Sequence, residues 1–73
     1  MEYKSLSEYV KQARKQHGLT QVDLSEKAGV GLRFVRELER GKSNLRMDKV
    51  NQVLILFGAE LVPGAVDKNK LNI

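Results

Sequence analysis

The sequence predicts an all-α domain of about four helices. Three observations carry that prediction. Apolar residues recur at helical spacing in four separate segments. Glycines divide those segments: Gly18, Gly29, Gly31, Gly41 and Gly58 fall at or beside their ends, while Gly64 and the single proline, Pro63, lie beyond. A chain of 73 residues has room for one small domain and no second.

The first helix is expected over residues 5–17. Leu6, Tyr9, Val10, Ala13 and His17 follow the i, i+3, i+4, i+7, i+11 spacing of one helical face, and Lys11, Arg14 and Lys15 lie off it. Ser5 with Glu8 matches a capping box, and Gly18 suits the positive φ of a C-terminal cap. The second helix, residues 20–28, has Thr20 as its N-cap. Asp23 and Glu26 sit where the helix dipole favours negative charge, and Leu24 and Ala28 face inward. Only Gly29, Val30 and Gly31 separate it from the third helix, residues 32–40, whose buried pair is Val35 and Leu38. Gly31 is an acceptable N-cap there, though weaker than Ser, Thr or Asp.

Residues 42–46 form a loop before the fourth helix, residues 47–57. Met47, Val50, Leu54 and Phe57 make one apolar stripe of that helix, Val53 and Leu56 a second, and Ile55 a third direction. A helix apolar over most of its circumference is covered on two sides. Two roles fit it, a central core helix and a dimer interface, and they are compatible. Residues 59–62 are a short β-compatible run closed by Pro63, expected to pair with the same run of a second chain. Residues 1–63 therefore form the domain. Residues 64–73, polar with scattered Val66, Leu71 and Ile73, are expected to be a mobile tail.

Composition narrows the function. Apolar residues are 41% and charged residues 30%, ordinary for a globular domain and too apolar for a disordered chain. Cysteine is absent and histidine occurs once, so disulfides and a histidine-based metal site are excluded. Oligomerisation is then the remaining way to reinforce so small a core. The longest apolar run, Val53 to Phe57, has five residues, against roughly 20 for a membrane span. Glu2, Ser5, Ser7 and Glu8 do not make a secretory signal, and a cytoplasmic protein is expected. A net charge of +4 permits a polyanionic partner without requiring one.

No enzyme, cofactor or metal is expected. His17 lies on an apolar helix face and reads as a packed or partly exposed side chain, with no buried base beside the available Ser, Thr and Asp residues. Gly29-Val30-Gly31 lacks the preceding strand and following Lys-Ser/Thr of a phosphate loop. Tyr3, Tyr9, Phe34 and Phe57 are too few and too scattered for a base-stacking platform.

The spacing of the second and third helices is that of a helix-turn-helix. A short turn sets the second of the pair at a steep angle, anchored by Val35 and Leu38 against Leu24, Ala28 and Val30. Its outer side is then free to enter the DNA major groove. That side carries Arg33, Arg36, Glu37 and Arg40. Arginine can fork two hydrogen bonds to guanine O6 and N7. Arg40, near the helix end, suits a phosphate or the helix dipole. The competing interpretation is a solvated face paired internally, Arg33 with Glu37 and Arg36 with Glu39; the short turn favours DNA. Residues 31–49 hold six bases and three acids, so Lys42 and Arg46 extend the basic surface as phosphate contacts.

Thr20-Gln21-Val22-Asp23-Leu24-Ser25-Glu26-Lys27-Ala28-Gly29-Val30 and Phe34-Val35-Arg36-Glu37-Leu38-Glu39-Arg40-Gly41-Lys42 resemble the Xre family of lambda-repressor/Cro-like helix-turn-helix proteins. Met47-Asp48-Lys49-Val50 with Leu54, Phe57 and Gly58 extend the likeness over about residues 5–60. The resemblance implies a bundle of four to five helices, with Thr20 and Gln21 at the phosphate backbone and Gln21 also supporting a side chain of the recognition helix. It places Gly31, Leu32, Arg33, Phe34, Arg36 and Glu37 at base edges. Gly31 departs from the capping Ser or polar base-reader common in the family. Leu32 suits a thymine methyl, and Phe34 either packs inward or touches a thymine methyl or sugar.

Leu45-Arg46-Met47-Asp48-Lys49-Val50 and Phe57-Gly58-Ala59-Glu60-Leu61 are similar, more narrowly, to HipB-like antitoxins of bacterial toxin–antitoxin operons. That likeness implies a homodimer joined by a C-terminal strand, with Val53, Leu56, Phe57, Ala59, Glu60, Leu61 and Val62 at the interface. It further implies a palindromic double-stranded operator, repression of the protein's own promoter at the nucleoid, and a HipA-like kinase toxin as partner. Two alternatives stay open: a free-standing repressor of phage or plasmid origin, and a protein-interaction module that has lost DNA binding.

Overall fold

The computed structural model describes residues 5–63. Among them are four helices: α1 (Leu6–Gln16), α2 (Gln21–Ala28), α3 (Leu32–Arg40) and α4 (Met47–Leu56). Residues 64–73, expected to be a tail, lie outside the described residues.

Local chemistry sets the helix ends. The Ser5 hydroxyl accepts the Glu8 N–H at 3.2 Å and opens α1. At α2 the cap is reciprocal: Asp23 N–H donates to Thr20 Oγ1 at 3.0 Å, and Thr20 N–H donates to Asp23 Oδ2 at 2.9 Å. The sequence credited Asp23 with a dipole effect alone, but its side chain closes the second half of a capping box. The Thr20 N–H first, and the Thr20 hydroxyl beside the carboxylate second, hold the Asp23 carboxyl below its ordinary range. The folded chain thus favours the ionised form. That contribution is complete above the unfolded pKa of about 4 and is lost as pH falls through the lowered folded value. Thermal melts of wild type and Asp23→Asn across the acid range should show the variant less stable at neutral pH, with a shallower decline below pH of about 4. Parallel curves would refute this role.

Gly29 ends α2 at φ 73° and Gly41 ends α3 at φ 86°, in the left-handed region where a Cβ is strained. Gly29 and Val30 N–H both return to the Ser25 carbonyl, so the chain reverses within the turn and starts α3 at Gly31.

The core is Val10, Leu24, Val35, Leu38, Val50, Val53 and Leu54, contributed by all four helices. α3 packs on both α1 and α2, and α2 packs on α4. On α4 the two stripes expected from the sequence are redrawn: Val53 leaves Leu56, which is exposed, and joins the buried face. At about 100° per residue, Val50, Val53, Leu54 and Phe57 fall on one face of the helix, and the first three are buried. Val53, expected at a dimer surface, is completely enclosed within the single chain. Met47 has an azimuth close to that of Leu54 but opens the helix one turn before Val50, and it is exposed.

Residues 59–62 form no strand in the single chain, and no strand occurs among the described residues. A strand requires a ladder partner, and no second extended segment lies beside this one. Its N–H groups turn back on α4 instead: Ala59 N–H donates to the Leu54 carbonyl and Leu61 N–H to Asn51 Oδ1, both at 2.9 Å.

Candidate nucleic-acid interface

The candidate interface is the outer side of α3 with the loop that follows it. Val35 and Leu38 anchor the inner side, against a core that includes Leu24, with Ala28 and Val30 packed at its edge. The helical period then forces Arg33, Arg36, Glu37 and Arg40 outward. All three arginines are exposed, and the Arg33 side chain keeps 92% of its surface open to solvent.

These charges are not equivalent. Arg36 and Arg40 have no ion-pair or hydrogen-bond partner for their side chains among the described residues. Arg33 Nε donates to Glu37 Oε1 at 3.0 Å, and Lys42 Nζ donates to Glu37 Oε2 at 2.7 Å. The internal pair Arg33–Glu37 weighed from the sequence therefore forms, whereas Arg36–Glu39 does not. Arg46 forks onto Asp48 at 3.1 and 2.7 Å. Lys42 foremost, with Arg33, holds the Glu37 carboxyl below its ordinary range, and Arg46 does the same for Asp48. Both acids are thus ionised at neutral pH.

Glu39 belongs to the inner side of α3. Its side chain is 3% exposed and receives Arg14 Nε at 2.7 Å, Arg14 Nη2 at 3.1 Å and Gln21 Nε2 at 3.2 Å. Arg14 Nη1 meanwhile donates to the Leu19 carbonyl at 2.9 Å. This polar cluster ties α1, the start of α2 and α3 together, and sequence reasoning missed it. Its signal was present: Glu39 is four residues after Val35 and so shares its buried azimuth.

Gln21, at the start of α2, spends its amide on Glu39 of α3, and Thr20 is engaged as the α2 cap. Gly31 is exposed and opens α3 without a side-chain cap. Leu32 is half-buried, and Phe34 packs partly buried against the core.

Away from this face, Ile55, Leu56 and Val62 are exposed, while Phe57, Ala59 and Leu61 lie half-buried against the core and Glu60 is exposed. Leu6, Tyr9, Leu54, Ala59 and Glu60 line an open apolar groove of about 230 Å³ beside them. The His17 ring stands 5.1 Å from the Phe57 ring, and its Nδ1 lies 2.8 Å from the Ala13 carbonyl oxygen. It is an exposed residue that caps the end of α1. No helix among the described residues is long and apolar enough to cross a membrane.

A short turn, a helix anchored on one side and an arginine row on the other define a helix-turn-helix domain, a fold that docks its second helix on DNA. Residues 10–62 match the helix-turn-helix family model HTH_3. The chain belongs to this Xre-like helix-turn-helix family. It is similar to a protein of Sinorhizobium fredii (strain NBRC 101917 / NGR234), y4mF, described as an uncharacterized HTH-type transcriptional regulator. The two are 45% identical over 58 residues, covering 75% of this chain and 76% of that protein.

Proposed function

We propose that this protein is a sequence-specific, double-stranded DNA-binding transcriptional repressor that acts by occupying its own promoter. The observation that carries this reading is the outward arginine row, with Arg36 and Arg40 unpaired among the described residues on a helix anchored from behind. Cationic forks with no internal partner are available to guanine edges and phosphates. The likeness to a transcriptional regulator supports the same role. Lys42 and Arg46, with Thr20 and Gln21 at the start of α2, take the phosphate backbone. The protein works in the cytoplasm, at the nucleoid.

The working form is a symmetric homodimer, whose two α3 helices lie about one DNA turn, roughly 34 Å, apart on a palindromic operator. The exposed Ile55, Leu56 and Val62 supply an apolar surface for the second copy. Glu60 and Val62 N–H have no hydrogen-bond partner among the described residues, while Ala59 and Leu61 N–H are taken up by α4. Alternate free N–H groups are what an antiparallel pair of residues 59–62 across the dimer would use. The finer role is that of a HipB-like antitoxin binding a HipA-like kinase, supported by the likeness at residues 45–50 and 57–61. Co-purification of a kinase-sized partner from the native host separates it from a free-standing repressor.

Arg36→Ala tests the DNA reading. It should weaken binding to the duplex upstream of the protein's own gene by ~1–3 kcal/mol, while binding to a scrambled duplex changes much less. Equal losses on both duplexes would remove Arg36 from base reading.

A further inference from the structure

Glu37 is an acid in the middle of a surface otherwise suited to a polyanion. Facing phosphates, a carboxylate there is repelled, so its presence calls for a physical reason. Both its oxygens are occupied, Oε1 by Arg33 Nε and Oε2 by Lys42 Nζ. Lys42 lies beyond the end of α3, so the carboxylate is gripped from the loop while it grips the arginine one helical turn before it. The Arg33 side chain has no other hydrogen bond among the described residues and is almost wholly solvated. Without Glu37 it would sample many rotamers and lose that freedom on meeting a base. Held through Nε, the guanidinium keeps its Nη1 and Nη2 groups free as an end-on fork open to solvent.

We infer that Glu37 is a positioning residue that pre-orients Arg33 for guanine, with Lys42 holding Glu37 in place. This rests on the reading of α3 as the recognition helix. The relay trades overall affinity for selectivity: one negative charge is kept at the interface so that one arginine is presented in a fixed direction. Glu37 thereby differs from a direct reader, in which the carboxylate itself would accept from a cytosine amino group.

The test uses the full chain and a pool of randomised double-stranded DNA. Selection with wild type yields its preferred duplex. Affinities for that duplex and its single-base-pair variants are then measured for wild type, Arg33→Ala, Glu37→Ala, the double variant and Lys42→Met. Arg33→Ala is expected to lose about tenfold discrimination at one base pair of each half-site. Glu37→Ala should lose most of the discrimination at that same pair, with no further loss in the double variant. Its affinity for mixed-sequence DNA should be equal to or above that of wild type, which destabilisation alone would not produce. Lys42→Met, a change at a half-exposed side chain, should erode the same base pair more weakly.

Full discrimination at the Arg33 base pair in both Glu37→Ala and Lys42→Met would overturn the relay. So would a Glu37→Ala loss confined to a different base pair, the signature of direct reading. If wild type selects no preferred duplex, or Arg33→Ala alters no base pair, the recognition-helix reading of Arg33 fails first, a separate and recognisable result.

Discussion

Glu39→Ala is expected to remove most of the domain's stability. The carboxylate is almost fully enclosed and balances the Arg14 guanidinium, whose side chain is only 13% exposed. Removing one partner of such a pair strands the other charge in a poorly solvated position, at a cost of ~3–5 kcal/mol. Small domains have a total stability of about 5–15 kcal/mol, and a chain of this size belongs at the low end. The Gln21 amide loses its acceptor in the same change, which loosens the start of α2 against α3. Urea denaturation at neutral pH measures the effect. Glu39→Gln, which keeps the volume and one acceptor oxygen, should lose less. The double change Arg14→Met with Glu39→Leu should recover much of the loss, because two apolar residues leave no charge behind. A Glu39→Ala protein within about 1 kcal/mol of wild type would mean that the cluster is far better solvated than its geometry indicates.

The second large effect is expected at Leu38. It is fully buried on the inner side of α3, the helix that packs on both α1 and α2. Truncation to alanine removes its transfer free energy and leaves a cavity, together ~2–5 kcal/mol. Because Leu38 also anchors the helix that carries Arg33, Arg36 and Arg40, specific DNA binding should weaken even where the protein remains mostly folded. Val22→Ala, an exposed change on α2, is the matched control and should stay within about 0.5 kcal/mol of wild type. A Leu38→Ala loss no greater than that of Val22→Ala would contradict the assigned core.

What was legible in the sequence was local. Helix limits followed from Ser5, Thr20, Gly29 and Gly41, because caps and left-handed turns depend on residues a few positions apart. The outward row on α3 followed from the same short-range geometry, since fixing Val35 and Leu38 inside leaves Arg33, Arg36 and Arg40 no other direction. Non-local chemistry was not legible. Arg14 and Glu39 are 25 residues apart, and periodicity reports the face of a side chain without its partner. The sequence offers Glu39 only as a surface partner of Arg36, although its azimuth is within about 40° of that of buried Val35. On α4 periodicity alone does not combine azimuth with axial position, so it does not distinguish buried Val53 from exposed Met47. Residues 59–62 form no strand in the single chain, because a strand needs a second extended edge that one chain does not contain.

On the proposed reading, the outward face of α3 recognises double-stranded DNA. The most direct test of that reading is a titration of the protein against two fluorescent duplexes, the promoter upstream of its own gene and a scrambled control, each at two salt concentrations. Tight promoter binding, weaker control binding and affinities that fall with salt on both are the predicted result, because the phosphate contacts are shared and the base contacts are not. Equal and feeble binding to both duplexes, unchanged by salt, would contradict it and leave the helix-turn-helix as a scaffold for protein contacts.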